Sequence, residues 1–160
     1  MTIQVGDKVP SVKLKIKTPD GIKDITTDEI FAGKKVVMFG LPGAFTPTCS
    51  AKHLPGYVQH HDQLKGKGVD TIACISVNDA FVMDAWGKDQ KVGDKVMMLA
   101  DGNGDFARAA GIELDARPNG LGMRCKRFSM LVENGTVKKL NLESPGAFEV
   151  SNAETMLTQA

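Results

Sequence analysis

The chain has 160 residues, of which 42% are hydrophobic and 24% are charged, and its formal net charge is +1. These values are typical of a folded globular protein and exclude a disordered, collagen-like or coiled-coil chain. The length fits a single domain, residues 1–160, and the small charge gives no reason to expect nucleic-acid binding.

The apolar segments are too short for a membrane helix. The longest, residues 36–45, falls short of the ~20 residues that such a helix needs and contains Gly40, Pro42 and Gly43. The N-terminal sequence MTIQVGDKVP lacks the basic segment followed by an apolar one that typical targeting peptides carry. We therefore expect no membrane contact and a cytoplasmic location.

The first predicted elements are a hairpin, a strand and a helix. In residues 11–26 apolar side chains alternate with lysines, and a Pro-Asp-Gly sequence marks the turn of a hairpin. The apolar run KVVMFGL at 35–41 predicts a central strand covered on both faces. Residues 47–65 predict a helix that Pro55-Gly56 kinks or divides.

The remaining elements alternate between strand and helix. They are a buried strand at 68–77, a helix at 79–91, a strand at 95–101, a short helix at 104–111, and two strands within 127–143 joined by Asn134-Gly135. A last helix would start with a capping box formed by Ser151 and Glu154. This order predicts an α/β fold whose mixed central sheet is flanked by helices and extended by the N-terminal hairpin.

The segment LPGAFTPTCS, residues 41–50, places a cysteine near the start of the predicted helix. Thr46 is the predicted N-cap and Pro47 the first helical residue, because the N–H that proline lacks would be unpaired there anyway. Cys49 would then be the third helical residue, where free backbone N–H groups and the helix dipole favour thiolate over thiol. An inert buried cysteine is the alternative, and the Thr-Pro context argues against it.

Other uses of the cysteines fit less well. The three cysteines, Cys49, Cys74 and Cys125, form no close pair and are predicted to be reduced thiols. A dithiol exchange site would need a second cysteine at position 46, where a threonine stands. His53 and His60 are too widely spaced along a helix to join Cys49 around one ion, so we expect neither a metal nor another cofactor. His53 has the spacing to touch the thiol, although a structural role is favoured.

Several segments resemble one family. PGAFTPTC matches the P-x-x-x-T-x-x-C active-site motif of peroxiredoxins, and PGAFTPTCSAKHLPGY, CISVNDAFVMDAW and KRFSMLVENGTV resemble its type II, or Prx5-like, subfamily. The resemblance extends from about Val5 to the C-terminus. It implies a thioredoxin-like fold and a thiol-dependent peroxidase that reduces hydrogen peroxide and alkyl hydroperoxides in antioxidant defence, and it also implies a homodimer.

By the same resemblance, Cys49 would attack the peroxide and become a sulfenic acid. Thr46 would hydrogen-bond the peroxide and the thiolate, Pro42 would shield the site, and Arg127 would hold the thiolate and the substrate. The chemistry agrees, because splitting an O–O bond needs a thiolate and hydrogen-bond donors on the oxygens. Taken alone, Arg127 could equally be a solvated charge at a strand edge.

The sulfenic acid must be reduced by a second thiol. Some members of the subfamily carry a resolving cysteine near the C-terminal segment GAFEVSNAE, and this chain has none there. Cys74 lies in a predicted buried strand and is expected to be inert. If residues 125–128 are extended, Cys125 shares a face with Arg127 and points to the active site, and neighbouring cationic side chains lower its pKa. We expect glutathione with glutaredoxin, or thioredoxin, to reduce Cys49, with Cys125 an accessory thiol at most.

An alternative function is a redox-regulated binding module that changes partners when Cys49 is oxidised. Thr46 and Arg127 favour the peroxidase, because a sensor need not accelerate the attack on peroxide.

Overall fold

The computed structural model describes residues 2–160. The strands are β1 (Lys13–Thr18), β2 (Gly21–Thr26), β3 (Lys35–Gly40), β4 (Thr71–Ser76), β5 (Met97–Ala100), β6 (Glu113–Asp115), β7 (Met123–Cys125), β8 (Phe128–Glu133) and β9 (Thr136–Leu142). The α-helices are α1 (Thr27–Phe31), α2 (Leu54–Gln59), α3 (His61–Gly66), α4 (Ala80–Asp89), α5 (Asp105–Ala109) and α6 (Ala153–Gln159). A π turn covers Cys49–His53, and a 3₁₀ turn covers Arg117–Asn119.

The central sheet has seven strands in the order β2-β1-β5-β4-β3-β8-β9. β3, β4 and β5 are parallel, whereas β1 and β8 run antiparallel to their neighbours β5 and β3. β6 and β7 form a separate antiparallel pair. The prediction of a mixed α/β sheet is therefore confirmed, and the predicted N-terminal hairpin extends one edge of that sheet.

The sheet separates two hydrophobic cores. Successive residues of a strand point to opposite faces, so Val37 and Phe39 of β3 belong to one core and Val36 and Met38 to the other. Helices α2, α3, α4 and α6 cover the first face, and α1 and α5 cover the second. This double covering explains why residues 35–41 read as a continuous apolar run.

The end of β3 requires a glycine. A Cβ atom on Gly40 would lie 2.2 Å from the ring of Phe128, the residue paired with it on β8. The close approach brings the start of β8 against the end of β3. The chain leaves β3 there and enters the loop that leads to Cys49.

The helical segment that follows differs from the prediction in where it divides. Helical residues begin at Pro47, the π turn follows, and the break comes at His60 rather than at Pro55-Gly56. The Leu54 N–H bonds to the carbonyl of Cys49, five residues earlier. Pro55 is the next residue and has no backbone N–H. Because it lies at the start of α2, where the π turn ends, it removes no further helical hydrogen bond.

The predicted capping box at the last helix is wrong. The N-cap of α6 is Asn152, whose side chain accepts a hydrogen bond from the Thr155 N–H at 2.9 Å. Ser151 is buried, and its hydroxyl donates to the carboxylate of Glu143 instead. A long-range partner thus takes the hydroxyl that local spacing assigned to the helix.

Within residues 2–160, none of the helices has both the length and the apolar character needed to cross a membrane.

Candidate active site

Cys49 lies in the first helical turn after the loop that follows β3. The carbonyl of Thr46 accepts the first helical hydrogen bond, from the Ser50 N–H at 2.9 Å, so Cys49 is the third helical residue as the sequence predicts. Its side chain is fully buried in the core that also contains Phe39 and Tyr57. The sulfur is therefore shielded from bulk water.

Arg127 contacts the sulfur directly. It lies between β7 and β8, and its Nη2 donates a hydrogen bond to Cys49 Sγ at 3.1 Å. The hydrogen bond places a cationic, planar donor directly on the sulfur. The structure thus brings together two residues that are 78 positions apart in sequence.

His53 holds the other side of the guanidinium. Arg127 Nη1 donates to His53 Nδ1 at 2.8 Å, and His53 Nε2 lies 3.1 Å from the carbonyl of Ser151. Burial, with a further contribution from the positive charge of Arg127, lowers the pKa of His53 to about 3. The ring is neutral, so it accepts at Nδ1 and donates at Nε2. The helical spacing from Cys49 was the one sequence signal for this residue, and its contact is with Arg127 rather than with the thiol.

An aromatic ring in the loop after β9 packs against both Arg127 and His53. Phe148 lies under the guanidinium of Arg127, 5.6 Å from centroid to Cζ, and its ring centroid is 5.1 Å from that of His53. A cation over an aromatic face is attracted by the ring quadrupole. Phe148 therefore helps to fix the plane of the guanidinium, and no sequence motif pointed to this role.

Thr46 is adjacent to the site but is engaged elsewhere. Its Oγ1 donates to the carbonyl of Gly43 at 2.6 Å, so the hydroxyl closes the loop before the helix rather than capping the helix. The hydroxyl is half-buried, and its oxygen can still accept a hydrogen bond.

Pro42 lines a small cavity beside Arg127. The cavity holds about 120 Å³ and is bounded also by Thr48, Leu114, Lys126 and residues 143–147. Arg127 is among the residues that line this small cavity, whereas Cys49 is not. A larger groove of about 600 Å³ lies beside α4 and β5, and neither cysteine nor histidine lines it.

The other two cysteines lie in apolar surroundings. Cys74 is fully buried in β4, and burial raises the pKa of its thiol well above the ordinary value. This agrees with the inert role predicted for it. Such a thiol is a poor nucleophile because little thiolate is present.

The prediction for Cys125 is wrong. It ends β7, β8 starts only at Phe128, and the side chain of Cys125 packs in the core on the other face of the sheet from Cys49. Its sulfur donates to the carbonyl of Lys126 at 3.2 Å, and burial raises its pKa instead of lowering it. The break between the two strands disrupts the alternation that would have put Cys125 on the face of Arg127.

Over residues 2–160, no three His, Cys, Asp or Glu side chains lie close enough together to hold a metal ion.

Comparisons with known proteins identify the family of the chain. The profile of the family described as Redoxin matches residues 4–157. Peroxiredoxin-2E, chloroplastic, of Arabidopsis thaliana is 53% identical over 160 residues, which cover 98% of this chain and 68% of the relative. The crystal structure of reduced Prx3 from Vibrio vulnificus in complex with H₂O₂ superposes with a TM-score of 0.95 at 51% identity and covers 99% of each chain. The 1-Cys peroxiredoxin structure of Plasmodium falciparum reaches 0.91 at 32% identity, covering 96% of each chain.

Proposed function

Since this chain belongs to the Redoxin family and is a peroxiredoxin, a thiol-dependent peroxidase, we propose that Cys49 is the cysteine that reduces the peroxide. The observation that supports this role is the 3.1 Å hydrogen bond from Arg127 Nη2 to the sulfur. Cys74 and Cys125 lack such a partner and have raised pKa values.

The reaction requires a thiolate and a stabilised leaving oxygen. The sulfur of Cys49 attacks the terminal oxygen of the hydroperoxide, an S–O bond forms, and the O–O electron pair passes to the departing oxygen. That oxygen takes a proton and leaves as water or an alcohol, and the cysteine becomes a sulfenic acid. Arg127 donates to the oxygens on which charge accumulates, the oxygen of Thr46 accepts a hydrogen bond from the hydroperoxide, and Pro42 keeps water from the sulfur.

The test is peroxide consumption by the wild type and by Cys49→Ser in stopped flow, with Cys125→Ser as the matched control. We expect Cys49→Ser to abolish fast consumption and Cys125→Ser to retain it. Wild-type oxidation no faster than that of free cysteine would instead favour a redox-regulated binding module, for which no attack need be accelerated.

For the substrate we propose hydrogen peroxide and small alkyl hydroperoxides. The cavity beside Arg127 is small, and Pro42, Leu114, Pro145 and Ala147 give it apolar walls. The relative from Vibrio vulnificus is described in complex with hydrogen peroxide. Comparing initial rates with hydrogen peroxide, tert-butyl hydroperoxide and a long-chain lipid hydroperoxide checks this, because a bulky substrate should react most slowly.

For the reductant we propose an external thiol, supplied by glutaredoxin with glutathione or by thioredoxin. The burial of Cys74 and Cys125 supports this, and the similar protein of Plasmodium falciparum is described as a 1-Cys peroxiredoxin. Turnover of the Cys74→Ser/Cys125→Ser double variant with each reductant tests the proposal. Loss of turnover with every reductant, while the first sulfenic acid still forms, would contradict it.

We also propose a homodimer and a cytoplasmic location. Phe45 and Phe81 are exposed by 53% and 64%, and exposed aromatic side chains favour an interface. Three free thiols fit a reducing compartment. Sedimentation equilibrium of the wild type and of Phe81→Ser checks the first proposal, and fractionation of cells that express the chain checks the second.

A further inference from the structure

Glu143 is a buried carboxylate that the proposed reaction does not use. It follows β9 and is only 5% exposed. Its Oε2 accepts four hydrogen bonds, from the backbone N–H groups of Glu149, Val150 and Ser151 at 2.9, 2.9 and 2.8 Å and from the Ser151 hydroxyl at 2.7 Å. One oxygen atom thus gathers three consecutive N–H groups of the segment 149–151.

The segment 149–151, to which Glu143 binds, is connected to the residues that hold Arg127 in place. The carbonyl of Ser151 accepts hydrogen bonds from His53 at 3.1 Å and from the Tyr57 hydroxyl at 2.8 Å. Phe148, immediately before this segment, lies under the guanidinium of Arg127. The Glu143 N–H also donates to the Arg127 carbonyl at 3.0 Å. The backbone of Glu143 is therefore hydrogen-bonded to the backbone of Arg127. Its side chain is hydrogen-bonded to the segment whose neighbours contact the Arg127 guanidinium.

We propose that Glu143 is a positioning residue for the peroxidase reaction, which fixes the Arg127 guanidinium on the sulfur of Cys49 by holding Ser151 and Phe148 in place. The proposal rests on the proposed role of Cys49 and Arg127. The path runs from the carboxylate to Ser151, from the Ser151 carbonyl to His53, and from His53 to Arg127. A guanidinium that loses these supports can rotate away from the sulfur, and a misplacement of about 1 Å costs on the order of 100-fold in rate.

The charge of Glu143 strengthens this arrangement. Burial works to raise the pKa of Glu143, but the hydrogen bonds from Ser151, Val150 and Glu149 outweigh burial and lower it. A carboxylate accepts hydrogen bonds more strongly than a neutral oxygen does. A neutral amide of the same shape should therefore hold the segment less firmly.

The experiment measures the rate at which hydrogen peroxide oxidises Cys49 in a single turnover, by rapid quench, dimedone trapping of the sulfenic acid and mass spectrometry. We expect Glu143→Ala to slow this oxidation about 10- to 100-fold and Glu143→Gln to slow it less. Glu149→Gln removes an equal charge from the exposed side chain of the same loop and leaves the backbone N–H in place, so its rate should stay at the wild-type value. Thermal unfolding of each variant identifies any that fails to fold. If Glu143→Ala does not fold, the rate of Cys49 oxidation in Glu143→Gln decides the test.

A double-mutant cycle separates positioning from general damage to the fold. If Glu143 acts through Arg127, Glu143→Gln should slow Cys49 oxidation in the wild type and have little further effect in Arg127→Gln. Full additivity of the two substitutions overturns the proposal, as does a wild-type rate in both Glu143 variants. The proposed function fails in a different way, because Arg127→Gln alone would then leave Cys49 oxidation unchanged.

Discussion

Arg127 donates a hydrogen bond to His53 at 2.8 Å, so a histidine that stays neutral orients the cation of the candidate site. Had the imidazole been protonated, Nδ1 could not accept this bond and two positive charges would face each other.

Replacing His53 should change the acid sensitivity of the fold. The pKa of His53 is lowered to about 3 in the folded chain, whereas an unfolded histidine titrates near ~6.5. Below the unfolded value the unfolded chain binds a proton that the folded chain does not, so the stability present at neutral pH is lost as pH falls. The loss amounts to on the order of 4 kcal/mol by the time pH reaches the folded value. Urea unfolding at pH 7 and pH 4.5 should show a smaller decrease for His53→Gln than for the wild type.

His61→Gln is the comparison for this measurement, because it leaves His53 in place and removes a ring whose hydrogen bond is to its neighbour Asp62. Because His53 is intact, this variant should still lose more stability than His53→Gln between pH 7 and pH 4.5. If His53→Gln and the wild type lose the same stability between the two pH values, His53 is not held neutral by its surroundings.

Arg127 should be sensitive even to a conservative replacement. Lysine keeps the charge but cannot bond the sulfur of Cys49 and the imidazole of His53 with two nitrogens of one planar group. We expect Arg127→Lys to slow Cys49 oxidation about tenfold and Arg127→Gln about 100- to 1000-fold. Arg117→Gln alters an exposed arginine paired with Asp115 and should keep the wild-type rate in the same stopped-flow assay.

Trp86 should report the oxidation of Cys49 by fluorescence. It is the only tryptophan of the chain, and its Nε1 donates to the hydroxyl of Ser50 at 3.0 Å, next to the reactive residue. An oxygen added to a fully buried sulfur must displace its surroundings, so the emission should change with each equivalent of peroxide. Stopped-flow fluorescence checks this, and Cys49→Ser should give no change. If mass spectrometry shows that Cys49 is oxidised but the Trp86 emission does not change, the contact between Trp86 and Ser50 does not move on oxidation.

Gly40→Ala should destabilise the fold. The new methyl would meet the ring of Phe128 at 2.2 Å inside the packed end of the sheet, and such overpacking typically costs about 1–3 kcal/mol. Gly66→Ala is the matched control, because a Cβ there meets nothing within 4 Å and alanine favours helix. Urea unfolding of both variants should show a loss for the first and no loss for the second. Equal stability of the two would mean that Phe128 turns aside at little cost.

Periodicity and turn chemistry in the sequence predicted the parts of the fold that depend on local rules. The unbroken apolar run at 35–41 indicated β3 with both faces covered, and the Asn134-Gly135 pair indicated the hairpin of β8 and β9. The Thr-Pro pair correctly placed Cys49 as the third helical residue. Each of these features is decided by neighbours within a few positions.

The remainder of the site depends on contacts between distant segments. His53 and Arg127 are 74 positions apart, and the carboxylate of Glu143 takes the hydroxyl that the local pattern at Ser151 assigned to a helix cap. The prediction for Cys125 failed for a similar reason. Strand β7 ends at Cys125, so the alternation of side chains between the two faces does not continue to Arg127, and the sequence alone did not show where the strand ends. Local sequence patterns do not show which distant group will form a hydrogen bond with a polar side chain.

The central sheet also limits which cross-links the folded chain can form. Cys49 and Cys125 pack on opposite sides of it, with hydrogen-bonded strands between the two cores. Two cysteines whose side chains point apart cannot be bridged without movement of the backbone. A Cys49–Cys125 bridge within one molecule of an oxidised sample would therefore mark a chain whose backbone had moved before the bond closed.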